Sequence, residues 1–362
     1  MIAGNISGIT TMDAQPPPVP SSPMPAAPPP PRRSPWGWIF GLLFFGTAGA
    51  VLLFIGFIII SVASAMKESG GVASKARNVT EQIVRDGGSD KIAHIDLEGI
   101  ITASANRAGT SMVDEFARRL DAAVEDNRVK AIVIRINSPG GEVTASDRLH
   151  QMIQRADGKK PVIAYMDTIA ASGGYYAACG TRHIMAHPTT FTGSIGVIMQ
   201  SVKYADMLDK VGLAMEIYKS GEMKDLLSGT RETRPDEIAL VNELIGETYD
   251  RFLQIVAENR GREASELRGS PFTDGRIFSG QQGLAGGFID SNGFIDDAYT
   301  KAAELADVTN PTVVRYQTRQ SFFDLFDPLA GARSGKVEID VSERLLPNIQ
   351  SGVPLYLHLD TF

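Results

Sequence analysis

The stretch "KAIVIRINSPGG", Lys130 to Gly141, reads as a β-strand that runs into a tight turn. Its first eight residues are an apolar, β-branched run. A proline and two glycines then let the chain reverse with backbone amides free to point at a ligand. The turn can equally be an ordinary link between a strand and a helix. Working outward, "KIAHIDLEGI" (Lys91 to Ile100) reads as a strand before it and "KPVIAYMD" (Lys160 to Asp167) as a strand after it. Between the first two lies "SMVDEFARRLDAAVED", with Val113, Phe116, Leu120 and Val124 at helical spacing. Leu149 and Ile153 mark a second helix ahead of Pro161. Strand, helix, strand, helix, strand is the pattern of an α/β parallel sheet. Farther on, Pro235 to Asn259 reads as a long helix with Ile238, Val241, Ile245, Tyr249, Phe252 and Val256 on one stripe.

The 362 residues leave room for one or two domains with appendages. A net charge of −7 gives none of the basic excess expected of a nucleic-acid partner. The one cysteine, Cys179, excludes an internal disulfide and a multi-cysteine metal site; its apolar surroundings suit a small packed residue. No HExxH, P-loop or dinucleotide GxGxxG occurs, so neither a metal nor a cofactor is expected. His183 and His187 are four apart, but on a strand that separates them by about 13 Å.

Eleven of the 20 prolines lie between Pro16 and Pro35, so residues 1–35 read as a disordered tail. From Trp36 to Met66 there are 31 residues without a charged side chain or a histidine. About 20 apolar residues suffice for a membrane-spanning helix, and Trp36 and Trp38 suit its interface. The block starts late and is long for a signal peptide, so it reads as an uncleaved anchor, although Ala63-Ser64-Ala65 is a triplet of the kind cleavage uses. Arg32 and Arg33 precede it while Lys67, Lys75 and Arg77 follow it. A long following domain translocates largely regardless of such charges, so the expectation is an inside N-terminus and an outside domain. Residues 67–90 read as a linker.

Two further glycine-rich segments stand out. In "AASGGYYAA", Ala170 to Ala178, Ser172 follows a strand and opens a helix. Gly173 and Gly174 let a substrate backbone approach, and a helix start presents amides to a developing oxyanion. Ser172 can equally be a helix N-cap. "TGSIGV", Thr192 to Val197, holds Ser194, which can also be no more than a glycine-flanked strand end. A nucleophilic serine needs a base, and without a suitable histidine lysine is the candidate. "YKSGEMKD" supplies Lys219 and Lys224. A free lysine titrates near 10.4, so one acting near pH 7–8 must be shifted down by about 3, which burial can do.

Taken in order, "NSPGG", "AASGGYY", "TGSIGV", "KSGEMKD" and "DGRIFSG" resemble the signal peptide peptidase A family, serine peptidases of the Clp protease/crotonase superfold. The resemblance covers roughly residues 91–300. It thins over residues 301–362, where only "VVRYQTRQSFFDLF" and "PLYLHL" match. It implies an α/β Clp protease/crotonase-like fold of parallel sheet and helices behind a single transmembrane helix. It also implies Ser172 as nucleophile, Lys224 as general base and Ser194 as the hydroxyl that positions the lysine. The backbone amides of Gly141 and Gly173 would form the oxyanion hole. The expected substrates are cleaved signal peptides and other membrane-associated peptides, on the extracytoplasmic side of the cell membrane. Longer family members carry two tandem copies, so a one-copy chain is expected to form a ring-shaped homo-oligomer with its dyad shared between subunits. The alternatives are a crotonase-type acyl-CoA enzyme and a non-catalytic membrane scaffold.

Overall fold

The computed structural model describes Phe54, residues 79–105, 110–318 and 355–357. The expected tail and, apart from Phe54, the expected anchor lie outside these residues. Among the described residues no helix is long and apolar enough to cross a membrane.

In chain order the elements are β1 Val79–Arg85, β2 Lys91–Glu98, α1 Met112–Glu125, β3 Val129–Ser138, β4 Gly140–Glu142, α2 Val143–Asp157, β5 Val162–Ala171 and α3 Gly173–Ala178. β6 His183–Ala186, β7 Phe191–Gly193, α4 Ala205–Lys210 and a 3-10 turn, Glu222–Asp225, follow. Then come α5 Pro235–Arg260, α6 Ala264–Leu267, β8 Ile277–Ser279, α7 Gly280–Ala285, β9 Ser291–Asn292, α8 Ile295–Leu305, β10 Thr312–Thr318 and β11 Leu355–Leu357.

The main sheet runs β1-β10-β2-β3-β5-β6-β9, with β7 beside β5 and β8 beside β7. β10, β2, β3, β5, β6 and β9 pair in parallel, and β1 is antiparallel on β10. The sheet is mostly parallel, as expected, and both faces are covered. On β3, Ile132, Ile134 and Ile136 join a core with Val113, Phe116 and Leu120 of α1 and Leu149 and Ile153 of α2. Ala131 and Val133 point the other way, onto Ala298, Tyr299 and Ala302 of α8. Alternate residues of one strand thus meet helices on opposite faces, which explains its near-continuous apolar run.

Two stretches differ from the sequence expectation. Residues 79–85, read as linker, form the edge strand β1. Past residue 300 the sheet continues, because β10 lies between β1 and β2. A part-buried salt bridge marks this junction: Lys91 on β2 reaches Asp126 at 3.0 Å and Glu81 on β1. β11 forms a separate two-stranded sheet, antiparallel to β4, with Tyr356 opposite Gly141.

Candidate active site

The three glycine-rich turns meet at the C-terminal ends of β3, β5 and β7, where open parallel sheets place their sites. After β3 the chain folds on itself through Ser138. Its Oγ donates to the Gly99 carbonyl at 2.6 Å and accepts from the Gly140 amide at 3.1 Å. Gly140 has φ +103°, a conformation that suits glycine. At Gly141 the reason for glycine is space. A Cβ there would lie 2.0 Å from the Ile101 carbonyl oxygen, because Ile101 bridges to Gly141.

β5 ends at Ala171, and Ser172 turns the chain into α3 with φ 52° and ψ −113°. Non-glycine residues are seldom found there, and such strain clusters at functional sites. Ser172 is 1% exposed, and its Oγ has no hydrogen-bond partner among the described residues. It makes no side-chain cap bond to α3. The N-cap alternative therefore fails, since a capping serine holds its hydroxyl on the first-turn amides. Gly173 and Gly174 allow α3 to sit against the turn after β3. A Cβ at Gly173 would be 2.4 Å from Ser146 Oγ and 3.2 Å from the Gly141 amide nitrogen; one at Gly174 would be 2.9 Å from the Ser138 carbonyl oxygen. The backbone of Gly141 is thus brought beside that of Gly173.

Ser194 arrives beside Ser172 through strand pairing. Ala171 is opposite Gly193 in the parallel β5–β7 register, and the Ser172 amide donates to the Gly193 carbonyl at 2.8 Å. The two serines therefore leave adjacent strands, about 4.8 Å apart in such a ladder. Ser194 is also buried with positive φ, 49°.

Lys224 is not brought to this cluster. It lies exposed on the 3-10 turn Glu222–Asp225, its amide donates to the Gly221 carbonyl at 3.1 Å, and its side chain makes no hydrogen bond or ion pair among the described residues. Lys219, by contrast, donates to Asp225 Oδ1 at 2.7 Å. The turn is fixed to the start of α5, where Arg234 Nη2 donates to the Glu222 carbonyl at 3.2 Å. The far end of α5 meets the serine helix: the Phe252 and Tyr176 rings are 4.9 Å apart. From Glu237 to Phe252 the helix axis spans roughly 22 Å. Only the C-terminal half of the expected stripe, Phe252 and Val256, is buried in the core, while Ile238 is exposed. The arm ahead of α5 is apolar and uncovered as well. Val202, Met207, Val211, Leu213, Met215 and Tyr218 are all exposed, Tyr218 at 87%.

Other candidates are accounted for locally. Cys179 is buried, and burial pushes its thiol up to about 12. That keeps it a thiol and not a nucleophile. His183 Nε2 bonds to Ser291 Oγ at 2.8 Å and His187 Nδ1 to Thr189 Oγ1 at 2.8 Å, so the two do not converge. Among the described residues no cluster of three metal-ligating side chains exists.

Residues 154–309 match the model of peptidase family S49, and residues 89–193 match that of Clp protease. A protease of Synechocystis sp. is 36% identical over 244 residues, 67% of this chain and 84% of that protein. A signal peptide peptidase SppA of Enterococcus faecium is 31% identical over 256 residues, 68% of this chain and 73% of that one. The chain belongs to the signal peptide peptidase A family. Protease 4 of Salmonella typhi is 34% identical over 244 residues, but these make up 39% of its length. Membership of this S49 family makes the protein a serine peptidase, and the acyl-CoA and scaffold alternatives give way.

Some parts of the peptidase are not visible in its motifs. β11 lies along the backbone of Gly140–Glu142, on the strand that carries Gly141. Arg231 joins Asp225 to Glu237, and no short motif marks that contact. A signal existed only in hindsight: three charged residues at spacings of six, next to the lysine motif.

Proposed function

We propose that this protein is a membrane-anchored endopeptidase in which Ser172 of one subunit and Lys224 of its neighbour form a catalytic dyad. The substrates are cleaved signal peptides and other membrane-associated peptides. One observation carries the reading: a buried serine in a strained turn holds a hydroxyl with no partner among the described residues, beside the glycine backbones of residues 141 and 173.

The neutral amine of Lys224 removes the proton from Ser172 Oγ, which attacks the peptide carbonyl carbon. The Gly141 and Gly173 amides hold the oxyanion. The lysine ammonium then gives its proton to the leaving amine as the C–N bond breaks, which leaves an ester on Ser172. Lys224 next takes a proton from water. The hydroxide attacks the ester, and Ser172 leaves with the proton returned by the lysine. Ser194 accepts or donates a hydrogen bond that fixes the amine. The substrate backbone lies as a strand beside β4, the edge along which β11 runs.

Sharing between subunits is supported by the roughly 22 Å of α5 between the lysine turn and the serine helix. It is supported too by the uncovered apolar arm, since patches of this kind mark interfaces. Head-to-tail contact that closes by rotation gives a ring. Residues 36–66 anchor the chain, with the peptidase domain on the extracytoplasmic side.

The test is complementation. Ser172→Ala and Lys224→Ala proteins are each inactive against a synthetic signal peptide. After they are dissociated, mixed and reassembled, some interfaces regain both residues and cleavage returns. Mixed oligomers that form and stay inactive would refute the shared dyad.

A further inference from the structure

Asp225 follows Lys224 directly, and its carboxylate is held between two cations. Lys219 Nζ donates to Oδ1 at 2.7 Å, and Arg231 Nε donates to Oδ2 at 2.8 Å. The other face of the Arg231 guanidinium is used as well. Its Nη1 donates to Glu237 Oε2 at 3.0 Å, and its Nη2 pairs with the same carboxylate. Glu237 is fully buried in the first turn of α5, and its Oε2 also accepts from the Arg234 amide at 3.0 Å. Both carboxyls are held down by these bonds: Asp225 well below the ordinary range by Arg231 and Lys219, and Glu237 at about 2, chiefly by Arg231. Both are therefore ionised wherever the enzyme works.

An ionised carboxylate beside the candidate base has a chemical consequence. Left alone, Asp225 would stabilise the ammonium form of Lys224, which cannot take a proton from serine. A like charge nearby does the reverse, and active-site lysines use this device. The groups facing the turn are mixed. Glu222, Asp225 and Lys219 lie on its own segment. Arg231, Glu232, Arg234, Asp236 and Glu237 come from the approach to α5 and its first turn. Lys203 and Tyr204 come from the segment ahead of α4 that bonds to residues 228 and 229. Lys219 and Arg231 are the cations in contact with Asp225, and removing either leaves the carboxylates in excess.

We propose that Lys219 and Arg231 are positioning residues that neutralise Asp225, and so set the pH at which Lys224 becomes able to act as base. The proposal rests on the dyad reading above. Arg231 has a second task, because its fork ties the turn of Lys224 to α5. Lys219 gives its charge from the exposed side and also donates to the Glu222 carbonyl at 3.1 Å.

The experiment measures kcat/KM against pH for the full-length protein in detergent, with a synthetic signal peptide. Lys219→Gln and Arg231→Gln should move the acid limb to higher pH by about half a unit to one unit, as one charge at this range in a half-exposed site would. On the limb that is a loss of roughly three- to tenfold, vanishing toward the alkaline plateau. Asp225→Asn should move the limb the opposite way, and Asp225→Asn/Lys219→Gln should return it close to wild type. Arg231→Lys should keep the limb in place and lower the plateau. Lys219→Gln leaves the bond between Arg231 and buried Glu237 in place, so it reports even if Arg231→Gln fails to fold. Limbs that coincide with wild type in Lys219→Gln and Asp225→Asn, while Lys224→Ala is inactive, would overturn the proposal. A fully active Lys224→Ala protein would instead overturn the dyad.

Discussion

Replacing Ser172 should stabilise the protein while abolishing its activity, and the size of the effect follows from the turn. The comparison is made in a Lys224→Ala background, so that no neighbouring amine can reach the hydroxyl. A buried hydroxyl without a partner costs about 1–3 kcal/mol. Ser172→Ala removes that cost and keeps the backbone at φ 52°, ψ −113°, so a gain of about 1 kcal/mol is expected. Ser172→Gly also releases strain of about 1–3 kcal/mol. Against this stand about 0.5–1 kcal/mol of extra chain entropy and about 0.8 kcal/mol for the lost carbon. Gly and Ala are therefore both expected above Ser, with Gly above Ala where the released strain exceeds about 2 kcal/mol. In a domain of this size about 1 kcal/mol is worth about 2–4 °C in Tm. Urea unfolding followed by circular dichroism reads the differences, and a cleavage assay confirms inactivity. A Ser172→Ala protein no more stable than its parent would show that the hydroxyl is satisfied after all. Ser172→Gly less stable than Ser172→Ala would show that the turn stores less than about 2 kcal/mol of strain.

Gly173→Ala should lose peptidase activity at least about 100-fold, as loss of an oxyanion donor does, because its Cβ meets Ser146 Oγ at 2.4 Å. A Ser146→Ala background should recover part of that loss, as measured by kcat/KM, and no recovery would place the damage elsewhere. Burial lowers the pKa of His150, which packs edge-on against Tyr176 and faces Asp147, Arg251 and Glu258. Below about pH 6.5 the unfolded chain binds the proton more readily, so stability should fall as pH drops through that range. His150→Gln should flatten this dependence in urea titrations at pH 5 and 8, and an unchanged slope would assign it to other groups. Deleting residues 351–362 uncovers the β4 edge, so KM for a peptide should fall with little change in kcat; an unchanged KM would show that peptides do not use that edge.

The sheet was largely legible because its inner strands are covered on both faces. Such strands give the unbroken runs of β2, β3 and β5. β1 was not, because "VTEQIVR" is mostly exposed and lies at an edge, where no apolar pattern is required. β10 was missed for a different reason. Its seven residues earn their place beside β2 only through a pairing more than 200 positions distant. The strands β6 to β9 have two to four residues each, too few for a period to show. At the site, the turns were legible because glycines are required by geometry at Gly140 and by space at Gly141 and Gly173. The choice between Lys219 and Lys224 was not readable from the residues, since both sit in one polar segment. It rested on the family resemblance. The structure adds that the Lys219 side chain is occupied by Asp225 while that of Lys224 has no partner among the described residues.

The length of α5 has a consequence for the life of the enzyme in the cell. On the proposed reading a newly made chain has its own lysine turn and serine helix at different places along α5, and so carries two unmatched halves. It needs no inhibitor and no pro-segment to keep it harmless during synthesis and insertion. Cutting would begin only when copies meet, so the rate should rise more steeply than the amount of protein at low abundance. Crowding in the plane of a bilayer would then act as the trigger, and dilution as the safety catch.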